Sequence, residues 1–292
     1  MRDFDALWNE YACNLNDNQV KENVAKLLAE KANENKNVAV YKQCFNCIDL
    51  TSLSTTDNAA TIEPMVEKVN SFSDKYPDMP SVAAICVYPA LAKVVKDKLQ
   101  MPLGIAAVSA GFPSSQTFIE VKVAETAMAV SDGASEIDVV ISVGTFLGGD
   151  FETVYEELAE IKSACHGAHL KVILETGALV SAENIKKVSV LAMVAGADFI
   201  KTSTGKMSPA ATVEAAYVMC GAIKEFYQKT GEKIGFKPAG GIVTTEDAVN
   251  YYTIVKEVLG DEWLNNKLFR IGATRLANNL LTDIYGNTVA YF

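Results

Sequence analysis

The sequence has few histidines and lacks the common nucleotide-binding motifs. Its only histidines are His166 and His169, so neither a histidine-rich metal site nor a Ser-His-Asp triad is expected. The G-x-G-x-x-G pattern of dinucleotide-binding folds is missing. Gly205-Lys206 does not complete a Walker A loop, because Met207 stands where Ser or Thr is required. These absences argue against enzymes with histidine-rich metal sites, Ser-His-Asp hydrolases, dinucleotide-binding enzymes and Walker A nucleotide hydrolases.

Long apolar runs and excess positive charge are also missing. No run approaches the roughly 18 apolar residues of a transmembrane helix, and the N-terminus lacks the pattern of a signal peptide. We therefore expect a cytoplasmic protein that binds no membrane. The formal net charge of −10 argues against a large nucleic-acid surface. It still allows a small cationic pocket for an anionic substrate.

The 6 cysteines do not indicate a disulfide framework in a chain of 292 residues. Cys44 and Cys47 have CxxC spacing, but a zinc site needs two further ligands and no second CxxC exists. The pair lies in an apolar run typical of a strand, whereas a thioredoxin-like motif requires a helix starting at the first cysteine. We predict that Cys44 and Cys47 are buried free thiols.

Short apolar runs alternate with segments of helical periodicity from about residue 44 onward. Eight runs are strand candidates: 44–50, 82–88, 103–109, 137–143, 170–174, 197–203, 233–237 and 268–272. The helical segments include 117–130, 152–163, 182–194, 210–227 and 246–258. This alternation predicts a parallel sheet buried on both faces, and eight units match a TIM (β/α)8 barrel. An open doubly wound sheet is the alternative.

The first 40 residues are acidic and have helical periodicity. Asp17 is a candidate N-cap for a helix that places Val20, Val24 and Leu27 on one face. Length alone allows one domain or two, but no Pro-, Gly- or Ser-rich linker follows this segment. We predict an α/β protein with an N-terminal helical extension at 1–40 and a (β/α)8 barrel domain at 41–292.

Charged residues interrupt several of the apolar runs. Asp138, Lys201 and Lys237 lie inside strand candidates, and Asp49 and Glu175 lie near the ends of two others. The C-terminal ends of barrel strands carry the active site in TIM-barrel enzymes. Any one of these residues could instead mark a solvated strand end or a structural ion pair. This alternative to an active-site role is weaker for Asp138 and both lysines taken together.

The two lysines indicate chemistry that uses a neutral amine. Lys201 and Lys237 belong to neighbouring predicted strands, where repulsion and desolvation both lower a lysine pKa. At an ordinary pKa of about 10.4, only about one lysine in 10³ is neutral at pH 7. The pattern predicts a Schiff-base enzyme in which one lysine attacks a carbonyl, the other lowers its pKa and a carboxylate moves protons.

Glycines and cations cluster after the last three predicted strands. They occur in Gly205-Lys206, in Gly240-Gly241 and between Gly272 and Arg275. Glycines let backbone N–H groups approach an anion, and barrel phosphate sites commonly use the loops after strands seven and eight. The pattern predicts a phosphate site, with simple tight turns as the alternative.

Longer motifs around these residues resemble the deoxyribose-phosphate aldolase family. They are KTSTGK at 201–206, GFKPAGG at 235–241, EIDVV at 136–140 and KVILETG at 171–177. The segments DLT at 49–51 and AICVYP at 84–89 are similar to the family's first two strand ends. The likeness runs from about residue 44 to residue 281.

The resemblance implies a class I aldolase on a TIM barrel that reversibly cleaves 2-deoxy-D-ribose 5-phosphate to acetaldehyde and D-glyceraldehyde 3-phosphate. It implies that Lys201 forms the Schiff base and that Lys237 lowers its pKa. Asp138 would transfer protons through a water, with Lys237 in the same relay. No metal or other cofactor is implied, because the protonated imine is the electron sink. Many relatives are homodimers.

The same resemblance implies a set of substrate contacts. Asp49 and Thr51 would contact substrate hydroxyls, and Cys86 would line the pocket. The other substrate-binding residues expected are Thr202, Thr204, Gly205, Lys206, Gly240, Gly241, Gly272, Thr274 and Arg275. The alternatives are a different Schiff-base lyase, a transaldolase-like enzyme, or a non-catalytic barrel that serves as a binding module.

Two features depart from the family pattern. Val243 stands where a basic residue is common, and Thr274-Arg275 replaces a pair of serines. We hypothesise that Arg275 supplies the missing positive charge near the phosphate. Some relatives use a C-terminal tyrosine that reaches the active site. Tyr291 is the candidate for that role here, with a surface tail as the alternative.

Overall fold

The computed structural model describes residues 2–292, and its core is a closed barrel of eight parallel strands. The strands are β1 Ile48–Thr51, β2 Ala84–Val87, β3 Gly104–Ser109, β4 Glu136–Val140, β5 His169–Ile173, β6 Phe199–Lys201, β7 Gly235–Lys237 and β8 Ile271–Ala273. Strands β1 to β7 pair in chain order, and β8 pairs with β1. Bridges from Phe236 to Phe269 and from Ala239 to Gly272 close the barrel between β7 and β8. The TIM barrel prediction is confirmed.

Helices connect the strands and pack around the barrel, as the buried faces of parallel strands require. They are α1 Phe4–Glu10, α2 Asp17–Lys31, α3 Val38–Asn46, α4 Ala59–Asn70, α5 Phe72–Lys75, α6 Ala92–Lys98, α7 Ile119–Ser131, α8 Val143–Leu147, α9 Phe151–Ala164, α10 Thr176–Leu179, α11 Ala182–Val194, α12 Val213–Thr230, α13 Thr245–Leu259 and α14 Arg275–Tyr285. Short 3₁₀ turns occupy Ala32–Asn35, Pro89–Leu91 and Asp261–Trp263. Within residues 2–292, no helix is both long and apolar enough to cross a membrane.

Three helices precede the first strand, as expected for an N-terminal extension. The N-cap prediction for α2 is wrong by one residue, because the Asn16 side chain accepts the backbone N–H of Gln19 at 3.1 Å. Asp17 instead accepts the backbone N–H of Ala182 at 2.7 Å, which fixes α2 against the start of α11. Helix α3 runs across residue 40, and the division into 1–40 and 41–292 stays a prediction.

All six cysteines are buried free thiols, as predicted for Cys44 and Cys47. The strand assigned from residue 44 is wrong at its start, because Cys44 lies in α3, Cys47 ends that helix and β1 begins at Ile48. Cys44 and Phe45 face the core, so the last turn of the helix is apolar and continues directly into an apolar strand. Periodicity cannot separate the two in so short a run.

Candidate active site

The three residues predicted to be catalytic meet inside the barrel. Lys201 ends β6 and is paired with Lys237, which ends β7. The Nζ atom of Lys201 lies 2.8 Å from Asp138 Oδ2, and the Nζ atom of Lys237 lies 2.7 Å from the same oxygen. All three side chains are buried. One carboxylate oxygen therefore links two amines that differ in their other contacts.

The two lysines differ in how readily they lose a proton. Burial lowers the pKa of Lys201, and the positive charge of Lys237 lowers it further, which outweighs the opposite effect of Asp138. Burial also acts to lower the pKa of Lys237, but Asp138 and Asp49 together outweigh it and raise that pKa. The site thus combines an amine that is easily made neutral with a permanent cation.

Asp49 is held more tightly than a residue that only contacts substrate. Its Oδ1 accepts a hydrogen bond from Arg270 at 2.6 Å, and its Oδ2 contacts both Lys171 and Lys237. Burial opposes its ionisation, but these cations lower the pKa of the carboxyl well below its usual range. Thr51, two residues further along β1, donates its hydroxyl to the backbone carbonyl of Asp49 at 2.7 Å.

Three charged residues that sequence reasoning did not assign complete this interior. Lys171 on β5 contacts all three of the carboxylates Asp49, Glu136 and Asp138. Arg270, directly before β8, pairs with Glu136 through both guanidinium NH groups, at 3.0 and 2.7 Å. These carboxylates are occupied by ammonium and guanidinium groups. Across the described residues 2–292, no set of three or more His, Cys, Asp or Glu side chains could hold a metal ion.

Two of these three residues, like Asp138, are charged residues inside an apolar run of the sequence. Lys171 lies inside the apolar run 170–174, and Arg270 lies inside the run 268–272. Both come earlier in their runs than Lys201 and Lys237 do, so a search limited to strand ends passes over them. The inward direction of Lys171 follows from the strand register, in which Lys171 is paired with Asp138.

A cavity of about 250 Å³ opens beside Lys201 and is formed by the loops after β6, β7 and β8. We call it the mouth cavity, and its lining includes Thr51, Lys201, Thr204, Gly205, Lys206, Gly240, Gly241, Gly272, Thr274 and Arg275. Ten residues predicted from sequence are thereby brought together. Lys206 and Arg275 are exposed and supply positive charge at its rim.

Glycine is needed where two of these loops meet. Gly240 has a φ of +87°, and a Cβ there would lie 2.9 Å from the Cα of Gly205 and 2.8 Å from the side chain of Ala210. A larger residue would push the loops apart and widen the cavity. Directly before Gly205, the Thr204 hydroxyl donates to the buried carboxylate of Glu175, which also accepts the Thr204 backbone N–H at 3.2 Å.

Three predicted substrate contacts lie outside the lining of the mouth cavity: Asp49, described above, Thr202 and Cys86. The Thr202 hydroxyl accepts the backbone N–H of Ala239 at 3.0 Å and so ties β6 to the end of β7. Cys86 packs in a small apolar cluster with Leu53 and Val108, close enough to Asp138 for their charges to interact. Burial raises the pKa of the Cys86 thiol, so it stays protonated at neutral pH.

Tyr291 does not reach the site in this structure, which agrees with the alternative of a C-terminal tail packed elsewhere on the barrel. Its hydroxyl donates to the backbone carbonyl of Lys68 at 2.8 Å, and its ring packs against Phe72 and Tyr76. Lys68 is in the last turn of α4, which leads away from the C-terminal end of β1. The aromatic cluster therefore holds Tyr291 at the opposite end of the barrel.

The fold and the site together define a class of enzyme. A closed (β/α)8 barrel that places a buried reactive amine, a carboxylate and a cation-rimmed cavity at its strand ends is the arrangement of an amine-dependent barrel enzyme. The profile of the DeoC/LacD family aldolases matches residues 44–255. The chain belongs to this family.

Individual relatives agree with that assignment. The chain is 44% identical over 249 residues to the deoxyribose-phosphate aldolase of Homo sapiens, covering 82% of this chain and 78% of that protein. It is 43% identical over 254 residues to the Bos taurus deoxyribose-phosphate aldolase, covering 83% and 80%. A solved deoxyribose phosphate aldolase from Aeropyrum pernix superposes with a TM-score of 0.64 at 22% identity, covering 83% of this chain and 91% of that one. The family resemblance is confirmed by the first two relatives, and the fold by the third.

Proposed function

We propose that this aldolase reversibly cleaves 2-deoxy-D-ribose 5-phosphate to acetaldehyde and D-glyceraldehyde 3-phosphate through a Schiff base on Lys201. The human and bovine relatives are named for deoxyribose phosphate. The observation that carries the proposal is the buried amine of Lys201, which lies 2.8 Å from Asp138 and has a pKa below that of an ordinary lysine. A neutral amine is the form that attacks an aldehyde.

Lys201 performs the covalent chemistry. Its neutral amine attacks the aldehyde carbon C1 of the open-chain sugar, and the carbonyl oxygen leaves as water, giving a protonated imine. The iminium nitrogen then accepts the electron pair of the C2–C3 bond, while the C3 hydroxyl loses its proton and becomes the aldehyde of glyceraldehyde 3-phosphate. The remaining enamine takes up a proton at C2. Hydrolysis of the imine releases acetaldehyde and restores the lysine.

Asp138 moves the protons in this scheme, with Lys237 in the same relay as a fixed cation. Both lysines contact Asp138 Oδ2, so a water that replaces one of these contacts on substrate binding lies within reach of the new imine. The lysines around Asp138 overcome the cost of burial and lower its pKa, which keeps it a carboxylate between transfers. Lys237 remains charged and keeps the relay oriented.

The mouth cavity binds the phosphate and the hydroxyls. Backbone N–H groups of the glycine turns, the side chains of Lys206 and Arg275 and the N-terminus of α14 all favour an anion there. Thr51 lines the same cavity and is the proposed contact for a substrate hydroxyl. Asp49 acts through Lys237, because its carboxylate oxygens are already held by cations.

Trapping the imine tests the proposal directly. The protein is incubated with acetaldehyde and borohydride, and the modified residue is mapped by mass spectrometry. We expect a stable adduct on Lys201 that is lost in Lys201→Leu. Lys122→Leu is a matched control, because Lys122 is also buried but pairs with Glu157 outside the site. An adduct confined to exposed lysines would contradict the proposal. An adduct on Lys201 without cleavage of deoxyribose 5-phosphate would indicate a different Schiff-base lyase.

The association state and the location are also proposals. A homodimer is proposed from the family resemblance, and a cytoplasmic location from the sequence features described above. Sedimentation velocity at micromolar concentration measures the first, with twice the mass of one chain as the expected result.

A further inference from the structure

Seven charged side chains form one continuous cluster inside the barrel. The charge cluster consists of Asp49, Glu136, Asp138, Lys171, Lys201, Lys237 and Arg270. Each is at least nine-tenths buried, and Lys171 has no exposed surface. Such charges are tolerated only when partners compensate for lost hydration, so the composition of the cluster limits the charge that each member can carry.

Lys171 is the member that contacts every carboxylate. Its Nζ lies 3.2 Å from Asp49 Oδ2 and 3.2 Å from Asp138 Oδ1, and it also bonds to Glu136. Asp138 is therefore shared, with Oδ1 facing Lys171 and Oδ2 facing Lys201 and Lys237. Lys171 is paired with Phe199, two residues before Lys201, and does not line the mouth cavity. It acts on substrate only through its neighbours.

The charges of the cluster do not balance when every group is ionised. Three carboxylates face four cations, which leaves one surplus positive charge. Lys171, Lys237 and Arg270 each contact at least two carboxylates, whereas Lys201 contacts only Asp138. Deprotonating Lys201 neutralises the cluster and sacrifices the fewest ion pairs.

We propose that Lys171 and Glu136 are positioning residues that set the protonation state of Lys201, because the fixed charge of Lys171 makes the Lys201 proton the surplus one. The proposal deepens the proposed function and rests on Lys201 being the nucleophile. Lys171 also holds Asp138 from the side opposite to Lys201, so the proton carrier keeps its orientation when substrate arrives.

Other groups near Lys201 leave this balance unchanged. Asp138 faces it from β4, Lys237 from β7 and the Cys86 thiol from β2. Cys86 is buried and remains a neutral thiol, so it adds no charge at neutral pH. The carboxylate of Glu175, two residues after β5, is held by Thr204 rather than by the cluster.

Two single substitutions should shift the amine pKa in opposite directions. Lys171→Met removes a cation, so the cluster is balanced with Lys201 protonated and the pKa should rise. Glu136→Gln removes a carboxylate, adds to the positive surplus and should lower the pKa. The readout is the rate of borohydride trapping with acetaldehyde as a function of pH. A shift of one unit changes the rate about tenfold at a pH below the pKa.

A double variant and a conservative variant separate charge from structure. Lys171→Met combined with Glu136→Gln restores the original surplus, and its pH profile should return towards that of the parent protein. Lys171→Arg keeps the charge and should keep the profile even if the rate falls. Thermal unfolding of each variant checks that it is folded. If Lys171→Met does not fold, Glu136→Gln still tests the proposal, because Gln has nearly the same shape as Glu. Its pH profile of trapping should move to lower pH.

The outcomes also distinguish this inference from the proposed function. No adduct on Lys201 in the parent protein would contradict the aldolase chemistry itself. An adduct in the parent, with profiles that stay in place or move the same way in both single variants, would overturn only the role assigned to Lys171 and Glu136.

Discussion

The charge cluster inside the barrel and the mouth cavity above it both present cations, but in different surroundings. Lys171 and Lys237 have no exposed surface and contact at least two carboxylates each, whereas Lys206 and Arg275 are exposed. Removing one partner of a buried pair costs about 3–5 kcal/mol, because a charge is left uncompensated. Exposed ion pairs contribute about 0–1 kcal/mol. Substitutions in the cluster should therefore alter chemistry and folding, and those at the mouth should alter substrate affinity.

The largest expected effect follows removal of the reacting amine. Lys201→Leu should reduce cleavage of deoxyribose 5-phosphate by at least about 10³-fold, because Lys237 is held as a cation by two carboxylates and cannot replace it. A coupled assay for glyceraldehyde 3-phosphate measures the loss. The same variant should unfold no more easily than the parent, since it removes the surplus charge. A large drop in stability would show that the charge count given above is incomplete.

Lys237→Leu provides the contrast within the same cluster. It leaves Asp49 and Asp138 short of a partner, so we expect a loss of about 3–5 kcal/mol in the free energy of unfolding as well as lower activity. Urea denaturation followed by circular dichroism measures the first effect. If Lys201→Leu and Lys237→Leu were equally stable, Lys201 could not be distinguished as the surplus cation from Lys237 as a required one.

The two regions also differ in how far the sequence predicts them. Alternating apolar runs indicated the barrel because each strand is buried on both faces, and charges within those runs revealed Lys201, Lys237 and Asp138. Lys171 carried the same signal, but its contact with three carboxylates depends on the register between strands, which one sequence does not contain. The position of Tyr291 stayed open because it depends on aromatic packing against a segment distant in sequence.

For the mouth cavity, the sequence predicted which residues take part but not how they are arranged in space. Gly205 and Gly240 lie in the expected loops because positive φ and close backbone approach restrict such turns to glycine. Gly272 instead lies within β8, where a Cβ would lie 2.7 Å from the side chain of Ala239. The role of Thr202 was not foreseen, since its hydroxyl is taken up by the backbone of Ala239 rather than left for a ligand. The sequence therefore predicted the local turns, but it did not predict the contacts between loops.

Arg275 lies at the exposed rim of the mouth cavity, and its substitution should have a smaller effect. Arg275→Ala should raise the KM for deoxyribose 5-phosphate about tenfold, because a positive charge is lost at the rim of the mouth cavity. The KM for unphosphorylated deoxyribose should stay nearly constant, which makes the second sugar an internal control. Equal changes for both sugars would mean that Arg275 does not bind the phosphate. The unfolding free energy should be within about 0.5 kcal/mol of the parent, as for other exposed positions.

Tyr291 lies outside both regions, and its substitution should have the smallest effect. In this structure its hydroxyl donates to the Lys68 carbonyl and also lies 3.2 Å from the Ser71 hydroxyl, at the far end of the barrel from Lys201. Tyr291→Phe keeps the ring against Phe72 and removes only these hydrogen bonds, so we expect a stability loss of about 1 kcal/mol and an unchanged kcat. A fall in kcat of tenfold or more, with stability unchanged, would mean that the C-terminal segment leaves the aromatic cluster and enters the site during turnover. The charge cluster and the mouth cavity would then no longer account for the whole active site, so a steady-state measurement of kcat for this one variant tests whether they suffice.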